Sequence, residues 1–409
     1  MKIAILGEGI TGTAVKEKIA QLSDFEIAKV EDADLIVASP GIPQEQLPKT
    51  KTEIISEIEF AYRLFKRKES KVNPKLIAVT GTNGKTTVTA LLAHILDAPY
   101  AGNIGVPLIS FVDDDFLCTA GRVQSCQSSE SKIVVELSSY QLELCKSFKP
   151  EIAIWLNLTP DHLARHKTMA EYASVKAKVF QNFDQSNALI YLETDLFIKE
   201  ILESSELEFK KIPISFNHPL INKLNQIKLI GKHNKLNALA SYLAALEMGL
   251  PEEKIIEKIN SFKAVEHRIE FTLSFEGREF YNDSKATNPD STKIAVEAFD
   301  KPINLIICGK DKYLPLEEFI NFLQQNVKSI TIFGEITNRF KEIAHKLNPD
   351  YKLFEVNNIE EAITVSFNLA ENGEVILFSP SCSSFDQFNN FEERGKIFKD
   401  LVLKKYGKS

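Results

Sequence analysis

The chain has 409 residues, 44% of them apolar and 26% charged, with a formal net charge of −7. That length suggests two or three domains with packed cores, the balance is that of a soluble globular protein, and the acidic surplus argues against a nucleic-acid partner held by bulk electrostatics. Five cysteines (Cys118, Cys126, Cys145, Cys308, Cys382) form no CxxC pair and are odd in number, which points to reduced thiols in a cytoplasmic protein, not to a disulfide frame or a zinc site.

The run Met1-Lys2-Ile3-Ala4-Ile5-Leu6 stops at Gly7. It is too short for a signal-peptide core and reads as a first strand, Lys2–Leu6. A turn over Gly7–Gly12 and a helix over Thr13–Leu22 follow, then strands over Phe25–Val30 and Leu35–Ser39. A helical stretch, Glu57–Lys71, ends at Asn73-Pro74, which marks a first domain of residues 1–73. The second segment, 74–264, has strands at Leu76–Thr80, Ile133–Leu137, Ile152–Leu156 and Ala188–Leu192, with helices after Lys85, Met169 and His233 and over Glu252–Phe262. The third, 265–409, has strands at Glu270–Phe275, Glu279–Asn282, Asn304–Ile307, Ser329–Phe333 and Glu374–Ser379. No stretch approaches the length of a membrane span, so no membrane association is expected. Three α/β units in series predict doubly wound, mostly parallel sheets with sites at the carboxyl ends of strands. With no heptad and no large exposed apolar element, a monomer is expected.

The sharpest motif is Thr80-Gly81-Thr82-Asn83-Gly84-Lys85-Thr86-Thr87, between an apolar strand and a helix. Free backbone N–H groups and the positive helix end bind anionic oxygens, Lys85 adds charge, and the Thr86 hydroxyl suits Mg²⁺. It is a shortened P-loop, and it points to ATP. A second glycine turn, Gly7-Glu8-Gly9-Ile10-Thr11-Gly12, is open to NAD, to another diphosphate ligand, or to no ligand at all. Glu136 closes a strand level with Lys85, where a carboxylate suits Mg²⁺. His162, in Asn157-Leu158-Thr159-Pro160-Asp161-His162, reads as a further metal ligand or as a surface residue. Asn234 and Asn237 share a helix face and suit either capping or a base contact. Arg268 suits a phosphate or an ion pair. The polar run Tyr281–Pro289 reads as a functional loop, and Ser379–Phe388 either as a loop that holds a substrate carboxylate or as a Ser-rich helix cap. Lys176, judged on its residues alone, is one more solvated lysine.

Taken together, these motifs resemble the Mur ligase family of ATP-dependent amide ligases, over nearly the whole chain. The segment Glu136-Leu137-Ser138-Ser139-Tyr140-Gln141-Leu142 is similar to the family's metal strand, and Asp161-His162 to its second metal motif. The Asn282–Asn288 run and the stretch from Ser379-Pro380 to Arg394-Gly395 are similar to the branch that adds D-glutamate to UDP-N-acetylmuramoyl-L-alanine. The resemblance implies a short Rossmann-like N-terminal domain, a central P-loop ATPase-like sheet and a Rossmann-like C-terminal domain.

It also implies ATP and two Mg²⁺ ions as cofactors, with Thr86, Glu136, His162 and a carbamylated Lys176 at the metal. ATP would be held by Gly81, Thr82, Asn83, Gly84, Lys85, Thr86, Thr87, Asn237, Arg268 and Asp283. Lys85, Glu136, His162, Lys176 and Arg268 would be catalytic. The UDP-linked substrate would meet Gly9, Ile10, Thr11, Gly12, Ser39, Pro40, Gly41 and Asn103. D-glutamate would meet Lys285, Thr287, Lys312, Ser384 and Phe391. Three positions depart from the family pattern: Ala164 where Asp is common, Cys308 in place of the first Gly of a Gly-Gly-x-Asp-Lys loop, and Phe385 in place of Leu. Two readings of other classes, an NAD-dependent oxidoreductase and an ATP-binding switch protein, leave the Lys85 loop or the Asn282–Asn288 run without a use.

Overall fold

A computed structural model describes residues 1–68, 70, 73–112, 131–224, 231–262 and 265–407. Among the described residues sixteen strands fall into three sheets. In the first, β1 (Lys2–Leu6), β2 (Glu26–Ile27), β3 (Leu35–Ala38) and β4 (Glu53–Ser56) lie parallel in the order β2-β1-β3-β4. Helix α1 (Ile10–Gln21) follows β1, and α2 (Glu57–Phe65) follows β4.

The second sheet contains β5 (Lys75–Thr80), β6 (Tyr100–Gly102), β7 (Lys132–Glu136), β8 (Ile152–Trp155), β9 (Ala188–Leu192) and β10 (Lys210–Ile214), all parallel, in the order β10-β9-β8-β5-β7-β6. Its central strands are buried along their length, which is why they read as unbroken apolar runs with no alternation. Helix α3 (Lys85–Leu96) leaves the end of β5. Because β5 lies between β7 and β8, the crevice at the carboxyl ends of these three strands is where a doubly wound sheet holds its ligand.

The third sheet is mixed. β11 (Glu270–Phe275) and β12 (Arg278–Asn282) form an antiparallel hairpin. β13 (Ile303–Cys308), β14 (Ser329–Phe333), β15 (Leu353–Glu355) and β16 (Val375–Ser381) complete the parallel order β12-β16-β13-β14-β15.

The first two sheets belong to one compact unit and the third to another. Within the first unit one apolar core runs from Ile3, Val37 and Phe65 to Leu76, Val135 and Trp155. Two carboxylates pin the seam. Glu59, fully buried, accepts the backbone N–H groups of Lys146, Ser147 and Phe148 at 2.9–3.0 Å and Arg63 Nε at 2.8 Å. Glu57 accepts Ile109 N at 2.6 Å.

The structure corrects several expected boundaries. Helix α1 begins at Ile10, inside the turn expected over Gly7–Gly12, because Gly9 already serves as its N-cap. The strand expected over Phe25–Val30 shrinks to Glu26–Ile27, and the helix expected over Glu57–Lys71 ends at Phe65. Strands β4, β6, β10 and β15 lack an apolar pattern long enough to stand out. They form because a neighbouring strand offers hydrogen bonds, not because of intrinsic preference.

Candidate active site

The phosphate-loop candidate is built from β5, the turn at Gly81–Gly84 and the start of α3. Gly84 has φ +86, and a Cβ there would lie 2.7 Å from Asn237 Oδ1 and 3.2 Å from Leu156 Cδ1, so glycine is required. The same contact brings Asn237, on the helix His233–Glu247, against the loop. Asn157, just past β8, holds the turn. Its carbonyl accepts Thr82 N at 3.0 Å, its Oδ1 accepts Asn83 N at 2.8 Å, and its Nδ2 donates to Asn83 O at 3.0 Å. The Thr82 hydroxyl donates to Thr159 O at 3.2 Å. The free backbone N–H groups expected at this turn therefore do not include those of Thr82 and Asn83. These two shape the loop, and the start of α3, where Thr86 and Thr87 are buried, is the part whose chemistry suits an anion.

Two lysines meet at this turn. Lys85 Nζ donates to Gly81 O at 2.9 Å and Thr82 O at 2.7 Å. Lys176, on the helix Met169–Ala177, is 1% exposed and donates to the same Gly81 carbonyl at 2.9 Å and to Thr80 Oγ1 at 3.3 Å. The reading of Lys176 as a solvated lysine is thus overturned. Burial first, and the Lys85 charge second, hold its pKa well below the usual lysine value, while Asp161 and Glu136 pull the other way. The net effect favours the neutral amine, which is the form that takes up CO₂.

Glu136 ends β7 and is buried. Its Oε1 accepts Asn103 Nδ2 at 2.8 Å, while Oε2 is buried with no hydrogen-bond partner. A buried carboxylate oxygen left bare is costly, and a hard cation with oxygen ligands removes that cost. Among the described residues no three His, Cys, Asp or Glu side chains converge on one point. What the described residues offer a cation here is the bare carboxylate oxygen of Glu136, and a hard oxygen donor suits Mg²⁺ better than Zn²⁺. His162, at φ +54, sets Nδ1 2.9 Å from Tyr140 Oη and Nε2 3.5 Å from Asp161 Oδ2. Burial, followed by the charges of Lys85 and Lys176, lowers its pKa against the pull of Asp161, which favours neutral imidazole.

In the first sheet, Gly9 caps α1 with an open approach, and Ile10 is 80% exposed. Gly12 has a packing task before any other, since a Cβ there would fall 1.9 Å from Gly7 O. Ser39, at the turn Ser39-Pro40-Gly41-Ile42 closed by Ile42 N to Ser39 O at 3.1 Å, keeps a buried hydroxyl with no partner beside the glycines.

In the second compact unit, Asp283 is buried and accepts Ser379 Oγ at 2.7 Å and Ile269 N at 3.2 Å. Burial raises its pKa to about 7, with Ser379 and the Arg268 charge opposing. Lys285 Nζ lies 5.2 Å from the centre of the Phe391 ring, and Lys312 Nζ donates to Thr287 O at 2.9 Å, so these four candidates form neighbouring pairs. Ser384 is buried and Phe385 is 68% exposed.

Arg394, fully buried, joins the two polar loops. It donates to Ser284 Oγ at 3.0 Å, Ser284 O at 2.7 Å and Cys382 O at 3.0 Å. Cys308 is a core residue, and the glycine the turn requires is Gly309, at φ +125, where a Cβ would meet Ser383 O at 2.3 Å. Cys145, Cys308 and Cys382 are buried free thiols, and Cys118 and Cys126 lie outside the described residues. Sequence reasoning singled out neither Asn157 nor Arg394 as a site residue. The only signal for Asn157 is its place directly after a strand beside the loop, and that for Arg394 is its place at the end of the stretch that resembles the family branch.

Comparison with known proteins gives the chain its family. Residues 79–245 match the model of the Mur ligase middle domain, and residues 267–382 that of the Mur ligase glutamate ligase domain. The UDP-N-acetylmuramoylalanine–D-glutamate ligase of Caldicellulosiruptor bescii is 35% identical over 404 residues, covering 91% of this chain and 84% of that protein. Its namesake from Thermoanaerobacter sp. is 37% identical over 426 residues, covering 94% and 89%. Among solved structures, MurF ligase from Thermotoga maritima in complex with ADP aligns with a TM-score of 0.63 at 14% identity, covering 98% of this chain and 95% of that one. UDP-N-acetylmuramate-alanine ligase MurC from the same organism aligns at 0.60 and 17%, covering 99% and 100%. From its loop chemistry through its sheet order to its relatives, the chain belongs to the Mur ligase family.

Proposed function

We propose that this chain joins D-glutamate to UDP-N-acetylmuramoyl-L-alanine in the cytoplasm, converting ATP to ADP and phosphate, in peptidoglycan precursor synthesis. The observation that carries the reading is the meeting of Lys85 and a buried Lys176 on one loop carbonyl, with a bare carboxylate oxygen of Glu136 at the neighbouring strand end. A site that gathers the Lys85 cation, a buried amine and an ion-seeking carboxylate at a phosphate-type loop is suited to holding a polyphosphate and its metal ions during transfer. The activity printed for the relatives supports the same reading.

In chemical terms, a carboxylate oxygen of the muramoyl-alanine attacks the γ-phosphorus and the bond to ADP breaks. The acyl phosphate so formed is attacked at carbon by the D-glutamate amine, and phosphate leaves as the amine loses a proton. Lys85 and the start of α3 hold the transferring phosphoryl group. Asn237, Arg268 and Asp283 hold the rest of the nucleotide. Asn103 and His162 orient the muramoyl-alanine carboxylate, while Gly9–Gly12 and Ser39–Gly41 receive the UDP. Lys285, Thr287, Lys312, Ser384 and Phe391 receive D-glutamate. Two Mg²⁺ ions, when bound, neutralise polyphosphate charge, and Thr86, Glu136, His162 and a carbamate on Lys176 are the groups that would hold or orient them. The chain acts as a monomer.

The test is ADP release from ATP with UDP-N-acetylmuramoyl-L-alanine, Mg²⁺ and a panel of amino acids. ADP should appear with D-glutamate and not with L-glutamate. No nucleotide consumption with both acceptors present would end the proposal.

A further inference from the structure

We propose that Arg165 is a positioning residue that ties the Ser39–Ile42 turn of the first sheet to the imidazole of His162. Its guanidinium is spent in two directions. Nη1 donates to Ile42 O at 2.8 Å, while Nε donates to Glu143 Oε1 and Oε2 at 3.2 and 3.1 Å. Its guanidinium carbon lies over the Tyr140 ring, 4.9 Å from the ring centre. The Tyr140 hydroxyl in turn is 2.9 Å from His162 Nδ1. Both members of the ion pair are largely shielded, with side-chain exposures of 15% for Arg165 and 11% for Glu143.

The two ends of this chain of contacts are chemically meaningful. Ile42 closes the turn that carries the partnerless buried Ser39 hydroxyl. Glu143 and Tyr140 sit on the short helix that follows Glu136, fixed by the reciprocal Ser138–Gln141 capping box. A ligand that moves the Ile42 carbonyl therefore pulls on the guanidinium. The guanidinium fixes the phenol, and the phenol decides which His162 nitrogen is held. Lysine could keep one of these contacts, but a point charge offers no planar fork for a carboxylate plus a carbonyl, and no face for the ring.

The identity of the ligand on the Ser39–Ile42 turn rests on the proposed function, whereas the link to His162 does not. The experiment therefore has two arms, run on Arg165→Met, Arg165→Lys, Tyr140→Phe and the Arg165→Met/Tyr140→Phe double variant. The first arm reads the imidazole ¹⁵N resonances of the free protein, with His162 assigned by their loss in His162→Gln. The tautomer pattern of His162 should change in Arg165→Met and in Tyr140→Phe alike. The second arm reads ligation. In Arg165→Met the KM for the UDP-linked substrate should rise about 10- to 100-fold and kcat should fall. KM for ATP should stay within about two-fold. In the Tyr140→Phe background the same substitution should add little further loss of kcat, because both changes cut one path. Arg165→Lys should recover part of the KM and none of the tautomer pattern, and it serves as the folded substitute if Arg165→Met fails to fold. An unchanged His162 spectrum overturns the proposal even if wild-type ligation is robust, as does full additivity of the two kcat losses. If wild type ligates nothing, the spectral arm alone decides.

Discussion

The two glycine turns of the first compact unit share one plan, strand then turn then helix, yet they are built for different charge. At Gly7–Gly12 Gly7 and Gly12 serve close approach, the first turn of α1 carries no basic residue, and the polar feature is the neutral Ser39 hydroxyl. At Gly81–Thr87 the glycines permit the turn, and two lysines crowd onto Gly81 O. A helix N-terminus alone contributes partial charge, enough for a diphosphate that only has to be held. A phosphoryl group in transfer needs full charges at fixed distance. Under the proposed function, the difference separates a cradle that binds from a cradle that reacts, although both look alike as glycine patterns.

The largest effect is expected at the reacting turn. Lys85→Ala should lower kcat by ~10³-fold or more, about 4 kcal/mol of barrier, while KM for the UDP-linked substrate changes little. Steady-state kinetics with each substrate varied in turn checks this, and near-normal turnover would make the two turns equivalent. Lys176→Ala should cost ~10²-fold or more. If Lys176 acts as a carbamate, acetate or another short carboxylate should restore part of the loss, since it refills the space with the same anionic oxygens. A fully active variant removes the carbamate from the account, and a loss that no carboxylate relieves leaves Lys176 acting as a buried hydrogen-bond donor to the loop.

Sequence makes these two sites legible to different depths. Both glycine turns, the strand ends at Glu136 and Ser39 and the three α/β units could be read directly, because apolar runs and glycine spacing are local signals. Lys176 could not be read that way. Its burial depends on the helix Met169–Ala177 laying its side chain against Gly81, some 95 residues away in the chain. Asn157 and Arg394 escaped for the same reason, since their partners lie 74 and 110 residues distant. Strands β4, β6, β10 and β15 were missed because short strands take their conformation from a neighbour already in place.

The seam that carries the binding turn has its own pH signature. Burial raises the Glu57 carboxyl from the ordinary 4.5 to about 7, with the N–H groups of Ile109 and Leu108 opposing. The folded state therefore holds this proton more tightly than the unfolded chain does. The stability it contributes is full below about 4.5 and is lost as pH rises through about 7. Glu57→Gln keeps an acceptor for Ile109 N without a titrating group. Relative to it, wild type should lose up to about 3 kcal/mol between those limits and nothing further above them. Paired melting curves across pH 4 to 8 read the gap directly, and a constant gap would mean that Glu57 is not buried in solution.

The smallest effects divide the binding turn itself. Gly12→Ala places a methyl 1.9 Å from the Gly7 carbonyl oxygen, so backbone must shift. A cost of about 1–3 kcal/mol follows, visible as a lower Tm with or without ligand. Gly9→Ala meets nothing within 4 Å and keeps a negative φ of −76. Its stability should stay within ~0.5 kcal/mol of wild type, and only an occupied cradle can feel the added methyl. If Gly9→Ala raises the KM for the UDP-linked substrate while Tm holds, the open face at the start of α1 is where the diphosphate lies. If both quantities hold, this glycine is free of ligand and the binding cradle is confined to the Ser39 side of the turn.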